Sequence, residues 1–242
     1  MYYVENGNDA IGTEAFVSSR AVGDTCPPSC ELHPMHYPEG SKEKSPCYAH
    51  KTEQRFPASR ENGLRGMVSQ RNVIRAMLIT AEAKNKSVRL HERGGFFKDG
   101  ELDTEYLENL RWAMQSLVAM DFQLPRIWAY THAYDSRIVE AIGEFVQLYA
   151  SIHNADDMAQ ARAAGFTLFA WVDNAEQYHP RKKRGQKRMS DAPKKLTIEG
   201  EEFLFCPKLR RGVDQVTCSG SKKTIACNAC IDGLCNVYFA LH

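Results

Sequence analysis

The stretch RIWAYTHAYDSRIVEAIGEFVQLYASIHNADDMAQARAAGFTLFAWVD, residues 126–173, decides the fold class. Three short apolar segments, RIWAYT, VQLYASI and FTLFAWV, alternate with two stretches of helical pattern, DSRIVEAIGEF and NADDMAQARAAG. Asn154 is a candidate cap for the second helix and Gly165 a candidate terminator. Strands that alternate with helices of this length predict parallel βαβ units.

The same alternation extends toward the N-terminus. One helical pattern covers about 61–84, a strand SVRLHE begins at Ser87, and a second helix covers 104–120 before Pro125. The sequence therefore predicts an α/β fold, a partial (β/α) barrel of parallel strands with cysteine-rich N- and C-terminal segments. A doubly wound open sheet is the alternative. A full eightfold barrel usually needs ~250 residues, and much of this chain lies in its terminal segments.

Composition and charge set bounds on organisation and partners. The chain has 242 residues, of which 43% are hydrophobic and 25% charged, and its formal net charge is +1. These values predict one globular domain without an overall field that attracts nucleic acid. Within residues 1–242 we distinguish an N-terminal cysteine segment, a β/α core, a basic loop and a C-terminal cysteine segment, at 1–55, 56–175, 176–200 and 201–242.

No targeting or membrane signal is expected. The N-terminus MYYVENGNDAIGTEAF is acidic where a signal peptide is basic, and no apolar run follows it. No segment approaches the ~18 apolar residues of a membrane span. We therefore expect a cytoplasmic protein, in which eight cysteines act as metal ligands or redox groups; four disulfides in a secreted protein are the alternative.

Three cysteines lie near the front of the chain: Cys26, Cys30 and Cys47. Three thiolates leave one iron of a [4Fe-4S] cubane open for a substrate or cofactor. Their spacing is C-x3-C-x16-C, unlike the C-x3-C-x2-C run of radical S-adenosylmethionine enzymes. Alternatively, one of the three is a buried free thiol. Histidines flank these cysteines and are candidate substitute ligands: His33, His36 and His50.

Five more cysteines lie near the end: Cys206, Cys218, Cys227, Cys230 and Cys235. The CNAC motif followed by C-x4-C is a dense ligand loop, suited to a structural zinc or a [4Fe-4S] cluster. Five thiols exceed the four that one site needs. One of them is therefore expected to cross to the front site, which would bring the two ends of the chain together.

Histidines end three successive predicted strands: His91, His132 and His153, and Asp173 ends the fourth. Carboxyl ends of parallel strands meet at one edge, where catalytic groups collect. These histidines, with Glu92, are candidate catalytic residues for proton transfer, metal binding or substrate contact. Gly94 and Gly95, with Asp173, are candidate cofactor-binding residues because glycines let a ligand approach the backbone. The alternatives are histidines that bond neighbouring loops and a simple glycine turn.

The segment YHPRKKRGQKRMSDAPKK, residues 178–195, is strongly basic and lacks periodicity. Its basic part, 181–188, is a candidate contact for a nucleotide or nucleic acid through phosphate groups. A solvated surface loop is the alternative, and no interleaved aromatic residues favour base stacking there.

The motifs GNDAIGTEAF, TCPPSC and CYAH, with Arg89, His91 and Gly94 and the tail cysteines, resemble those of the bacteriophage gene product 88 family. The resemblance spans most of the chain. It implies a phage origin, hence the host cytoplasm, and a fold similar to the radical S-adenosylmethionine barrel, with S-adenosylmethionine as an implied cofactor. Gly94-Gly95-Phe96 stands where those enzymes often have two glycines and a glutamate.

Two hypotheses follow. The first is an iron-sulfur enzyme with one or two [4Fe-4S] clusters, a radical S-adenosylmethionine-like or other redox enzyme acting on nucleotides or nucleic acid. The second is a zinc-stabilised binding protein that engages DNA or a host factor without catalysis, because closed four-ligand zinc sites contribute folding free energy and need no open position. Neither hypothesis fixes an oligomeric state.

Overall fold

The structure is a computed structural model, and it describes residues 3–4, 11–38, 45–68, 70–173, 193–206, 216–217 and 225–240. The described residues form thirteen strands, six α-helices and one short 3-10 helix at Pro34–His36. None of these helices combines the length and the apolar character that crossing a bilayer requires.

The elements have the following bounds. The strands are β1 (Tyr3–Val4), β2 (Ala15–Ser18), β3 (Ser87–Leu90), β4 (Phe97–Lys98), β5 (Glu101–Leu102), β6 (Ile127–Thr131), β7 (Gln147–Ile152), β8 (Leu168–Asp173), β9 (Lys195–Ile198), β10 (Glu201–Phe205), β11 (Val216–Thr217), β12 (Ile225–Ala226) and β13 (Asn236–Ala240). The helices are α1 (Tyr48–Arg55), α2 (Pro57–Met67), α3 (Arg71–Ala83), α4 (Thr104–Val118), α5 (Ser136–Ile142) and α6 (Ala155–Ala163).

One nine-stranded sheet organises the molecule, in the order β1-β2-β3-β6-β7-β8-β13-β10-β9. The strands from β2 to β10 in this order run parallel, and β1 and β9 pair antiparallel at the two edges. The predicted α/β fold with parallel strands is therefore confirmed. Within the described residues the order is linear, so hydrogen bonds do not close it, and the partial barrel stays a prediction.

The crossover helices α3, α4, α5 and α6 all bury their apolar residues against the same face of the sheet, here called the helix face. A doubly wound sheet carries helices on both faces, and the described part of the chain departs from that pattern. The opposite face, here called the inner face, buries Trp128, Tyr149 and Val237 against Ile11 and Ile231. A loop and a turn, instead of helices, thus cover this side.

Parallel strands define a carboxyl edge and an amino edge of the sheet. The chain that follows β2, β3, β6 and β7 lies at the carboxyl edge. The turn 229–235 precedes β13 and lies at the amino edge, where Asp232 pairs with Arg126 just before β6. These two edges position the two cysteine groups.

The predicted single helix over 61–84 is wrong, because two helices cover this range. The backbone is extended at Val68, with φ −79° and ψ 90°, and α3 begins anew at Arg71. Helix α2 packs on the loop after β2 and not in the core: a Cβ at Gly66 would lie 1.9 Å from the carbonyl oxygen of Ser19. Leu64 is accordingly exposed. Asp103, and not Thr104, caps α4 by accepting from the Tyr106 N–H.

Two predicted helix ends are confirmed. The Asn154 side chain accepts from the Asp157 N–H at 2.8 Å, and Gly165 has φ +89° just after α6. The terminal segments contribute more than cysteines, since β2 at the front and β9, β10 and β13 at the end join the main sheet. The sequence analysis did not predict these strands.

Candidate functional site

A buried arginine fixes the front segment to the carboxyl edge. Arg20 is 1% exposed, pairs with the Asp103 carboxylate, and donates from Nη1 to the Gly95 carbonyl at 3.0 Å. Its guanidinium also lies over the ring of Tyr106, 4.2 Å from the centroid. The loop that carries the first cysteines is therefore held against α4 and the loop after β3.

Gly94 and Gly95 approach the chain itself. A Cβ at Gly94 would lie 2.4 Å from Thr25 Oγ1, and the Gly95 N–H donates to that same oxygen at 3.0 Å. The Phe97 N–H donates to the Thr25 carbonyl at 3.1 Å. The close approach that these glycines allow is thus explained by packing on the front segment. Their predicted role in cofactor binding remains a prediction.

Helices α1 and α2 brace the same loop from the other side. The Glu53 carboxylate accepts from the Val22 N–H at 3.2 Å and from Arg60 Nη1 at 3.1 Å. Arg60 also pairs with Asp24. Charged groups from both helices therefore converge on residues 22–24, directly before Cys26.

The front thiols Cys26, Cys30 and Cys47 lie close enough for their charges to interact. Burial raises the pKa of Cys26 to about 12, and burial, then the charges of Cys47, Glu31 and Asp157, raise that of Cys30 to about 11. Cys47 occupies the cap position of α1, but its thiol makes no capping bond. Without a cation nearby, the thiolates of Cys26 and Cys30 are therefore strongly disfavoured.

The flanking histidines His33 and His36 hydrogen-bond to the backbone of the front segment. His33 bonds the Gly23 carbonyl through Nε2 at 3.0 Å and accepts from the Met35 N–H through Nδ1 at 3.1 Å. His36 bonds the Pro28 carbonyl through Nε2 at 3.0 Å. Both nitrogens of His33 are thus in use, which argues against it as a substitute metal ligand. His50 lies within α1.

His91 is a core residue. It is 3% exposed, its Nε2 lies 2.8 Å from the Tyr106 hydroxyl, and its ring contacts Phe96 edge-on at a centroid distance of 4.4 Å. Burial, followed by the charge of Arg20, holds its pKa well below the usual range. The structure therefore places His91 on the helix side and not with the other two histidines. Glu92, next along the chain, donates its N–H to the Ser18 carbonyl at 2.9 Å.

His132 and His153 stack against each other after β6 and β7, with centroids 5.1 Å apart and ring planes 2° from parallel. Burial, then the neighbouring His153, lowers the pKa of His132 to about 4, although a bond to the Ser151 carbonyl opposes this shift. His153 Nδ1 bonds the Val172 carbonyl at 3.0 Å, which leaves Nε2 as the nitrogen with the lone pair. This buried Nε2 has no hydrogen-bond partner among the described residues.

Two residues absent from the sequence prediction join this pair to the front thiols. The Tyr134 hydroxyl donates to the Ser151 carbonyl at 2.5 Å, and Asp157 accepts from the His153 N–H at 2.8 Å. Burial, followed by the charges of Asp157 and Cys30, raises the pKa of Tyr134. Tyr134 lies two residues after His132, and Asp157 lies in the first turn of α6. The sequence signal for both residues was therefore their position just after the end of a strand.

The four tail cysteines that the structure describes do not form one group. Cys227, Cys230 and Cys235 lie at the amino edge, where the Tyr149 hydroxyl donates to the Cys235 carbonyl at 3.2 Å and their charges add to burial in raising its pKa. Cys206 follows β10 at the carboxyl edge and packs against the helix-face core. The strand directions explain this separation. Because β10 and β13 are parallel, Cys206 after β10 lies at the carboxyl edge and Cys235 before β13 lies at the amino edge.

Some predicted residues cannot be placed. Cys218 and the basic segment 181–188 lie outside the described residues, and of Asp173 only the backbone at the end of β8 is described. The seven described cysteines are free thiols, so the disulfide alternative finds no support in this part of the chain. Over the same part, no three side chains of His, Cys, Asp or Glu are arranged to hold a metal ion.

Comparison with known proteins gives one match. The model of the family described as gene product 88 matches residues 6–233. Searches of curated proteins and of solved structures each returned no match. The match covers most of the chain, including the front cysteines, the three histidines and Cys227 and Cys230.

Proposed function

This chain belongs to the gene product 88 family, and we propose that it is an iron-sulfur protein that performs redox chemistry at the carboxyl edge of its sheet. The observation that carries the proposal is the link from Cys30 through its neighbours Asp157 and Tyr134, which bond the chain at Ser151 and His153, to the stacked pair His132 and His153. This region offers soft metal donors, a hydrogen-bonding tyrosine, and a buried His153 Nε2 atom that has no partner among the described residues.

The donor atoms suit the group by their chemistry, and the three thiols would have to move together to hold it, because no three such side chains of the described residues are arranged around a metal position. Cys26, Cys30 and Cys47 offer thiol sulfur, which iron-sulfur clusters prefer. Burial raises the pKa of Cys26 and of Cys30, so their thiolates are unfavourable unless a cation stabilises them. A bound cluster would supply the positive charge that stabilises them and would supply electron transfer. Three ligands leave a fourth position open, which suits catalysis better than a closed structural site.

The protein residues around the thiols have separable tasks. His153 presents Nε2 as a hydrogen-bond or proton acceptor, since its Nδ1 is held by the Val172 carbonyl. His132 stacks beneath it and stays neutral near neutral pH because of burial. Tyr134 fixes the loop after β6 to β7 through the Ser151 carbonyl, and Asp157 fixes α6 to the His153 N–H just after β7. His91 acts as a positioning residue, because it packs behind the loop that carries Glu92, Gly94 and Gly95.

The tail thiols belong to a different kind of site in this proposal. Cys230 is 8% exposed and packs with Ile231 on the inner face. Its turn closes the amino edge of the sheet, where metal binding would stabilise the fold. The compactness of this turn also favours the competing function, a zinc-stabilised binding protein that engages DNA or a host factor without catalysis.

Several finer points are parts of the proposal. The family match supports a phage origin and, with it, the host cytoplasm. A radical S-adenosylmethionine-like reaction with that cofactor is a further part of the proposal, and its basis is the group of three front thiols. The one-sided helix layer supports a partial barrel. The basic segment 181–188 supports a nucleotide or nucleic acid as substrate.

Metal and sulfide analysis of protein purified without oxygen tests the proposal. We expect iron with matching acid-labile sulfide and a broad absorption band near ~400 nm. Reduced protein should then cleave S-adenosylmethionine, and the Cys30→Ala variant should not. Zinc without iron or sulfide would overturn the redox function and leave the zinc-stabilised binding protein.

A further inference from the structure

The inner face of the sheet is concave between β6 and β13. Because β7 and β8 lie between these two strands, a flat sheet would hold them about 14 Å apart. The rings of Tyr130 on β6 and Phe239 on β13 nevertheless meet, with centroids 5.4 Å apart and planes at 83°. The ring of Tyr149 on β7 also contacts Tyr130, at a centroid distance of 5.2 Å. The curvature of the sheet therefore gathers three aromatic side chains on this face.

Two of these rings lie where the packing of the inner face becomes incomplete. Nearer the amino edge, Trp128 and Val237 are 0% and 1% exposed. Nearer the carboxyl edge, Tyr130 and Phe239 pack against this inner-face core but are only half-buried. Part of each ring therefore stays accessible on the side of the carboxyl edge. We call these two rings the aromatic floor.

The stacked histidines lie directly beyond the aromatic floor. His132 comes two residues after Tyr130, a step of about 7 Å along a strand. His153 bonds the Val172 carbonyl at 3.0 Å, and Val172 is the register neighbour of Phe239 where β8 and β13 pair. The histidine pair and the aromatic floor therefore border the same end of the concave face.

One atom at this border lacks a hydrogen-bond donor. Because His153 Nδ1 is bonded to a carbonyl, Nε2 carries the lone pair, and this atom is shielded from water without a partner among the described residues. A buried acceptor without a donor costs free energy, which a ligand N–H would recover. Aromatic side chains favour stacking of another flat ring. A planar ring with an N–H group on its edge, as in a nucleobase, meets both demands.

We propose that Phe239, Tyr130 and His153 form a binding site for a nucleobase of the substrate. The base stacks on the accessible part of the aromatic floor, and its amino group donates to His153 Nε2. Entry of the base displaces the groups that shield this atom. The inference names the substrate class of the proposed function and rests on it in that respect, but binding of the base itself does not require a metal.

Ligand-detected NMR titration with 9-methyladenine and 9-methylpurine tests the site, because only the first of these rings carries an N–H donor. Wild type should bind 9-methyladenine about tenfold more tightly. His153→Phe keeps a ring in the stack but removes the acceptor, so it should bind both probes alike. Phe239→Leu should weaken both probes at least about fivefold through lost stacking. Phe56→Leu, at an exposed ring after α1, is the matched control and should bind as wild type does.

Three results would overturn the site: no saturable binding by folded wild-type protein, equal affinity for the two probes, or a preference for 9-methyladenine that persists in His153→Phe. Adenosine monophosphate and a single-stranded oligodeoxyadenylate are titrated in the same way. Whichever of them binds more tightly identifies a free nucleotide or a nucleic acid as the source of the base. Tighter binding of S-adenosylmethionine with the same dependence on His153 would assign the ring to a cofactor and overturn the substrate class.

Iron content, measured on the same samples, separates this inference from the proposed function. Iron-free protein that prefers 9-methyladenine through His153 keeps the site and overturns the redox function. Iron-loaded protein that binds neither probe does the reverse.

Discussion

The front and tail cysteine groups differ in how the fold holds them. The front group follows a segment anchored by the buried pair of Arg20 and Asp103, with side chains 1% and 8% exposed. The tail turn is tied by Arg126 and Asp232, with side chains 56% and 29% exposed, and by burial of Ile231. Buried protein contacts therefore hold the front group in place. The position of the tail group depends more on a metal that its thiols would bind.

This difference indicates two tasks. A platform that stays in place without a metal can leave one ligand position open for chemistry. A turn held by one exposed ion pair and a few apolar contacts gains most from a closed metal site that adds folding free energy. The following predictions test this division, beginning with the largest effect.

Arg20→Ala should lower the free energy of unfolding by about 3–5 kcal/mol, because it leaves the Asp103 carboxylate buried without its partner. Arg126→Ala, the equivalent change at the tail anchor, should cost about 0–1 kcal/mol because that pair is largely exposed. Urea unfolding of both variants measures the contrast. Equal losses would mean that the two segments are anchored alike.

Gly94→Ala should cost about 3 kcal/mol. Gly94 has φ +75°, and its new Cβ would lie 2.5 Å from the Arg20 carbonyl oxygen, a backbone atom that cannot move aside. Gly233→Ala in the tail turn has φ +63° but meets only the end of the Gln147 side chain, so about 1 kcal/mol is expected. A tail variant as unstable as the front variant in thermal unfolding would contradict the more rigid front platform.

Stability should fall as the pH drops from 6.5 toward 4. The folded pKa of His132 is lowered to about 4, so between these values the unfolded chain binds a proton that the folded chain does not. The share of His132 is about 3 kcal/mol, and buried His91 acts in the same direction. His132→Gln should flatten the profile measured by urea unfolding, because glutamine can still donate to the Ser151 carbonyl. An unchanged slope would show that His132 is not buried as described.

The sequence predicted the parts of the fold where periodicity and caps agree. Residues 126–173 show alternating strands and helices, and Asn154 and Gly165 mark the ends of α6, so this core was predicted correctly. The strands β10 and β13 were not predicted, although EEFLF and NVYFA are apolar enough for strands. Helix α2 was merged with α3 because Leu64 and Val68 fit a helical repeat but are exposed.

The site was predicted in part for the same physical reasons. The rule that the carboxyl ends of parallel strands meet at one edge predicted that His132 and His153 lie together, since they follow neighbouring parallel strands. It failed for His91, because φ +54° turns that residue out of strand register and toward Tyr106. No local pattern marks Tyr134, whose role depends on which loops the fold brings beside it.

Metal stoichiometry in a pair of single cysteine variants tests the central claim most directly. Iron, zinc and acid-labile sulfide are measured per chain in wild type, Cys30→Ser and Cys230→Ser, all purified without oxygen. If the two groups hold separate sites, each variant loses only its own share, and Cys230→Ser loses more thermal stability. Loss of all metal in either variant would show that front and tail thiols share one site and would contradict the account.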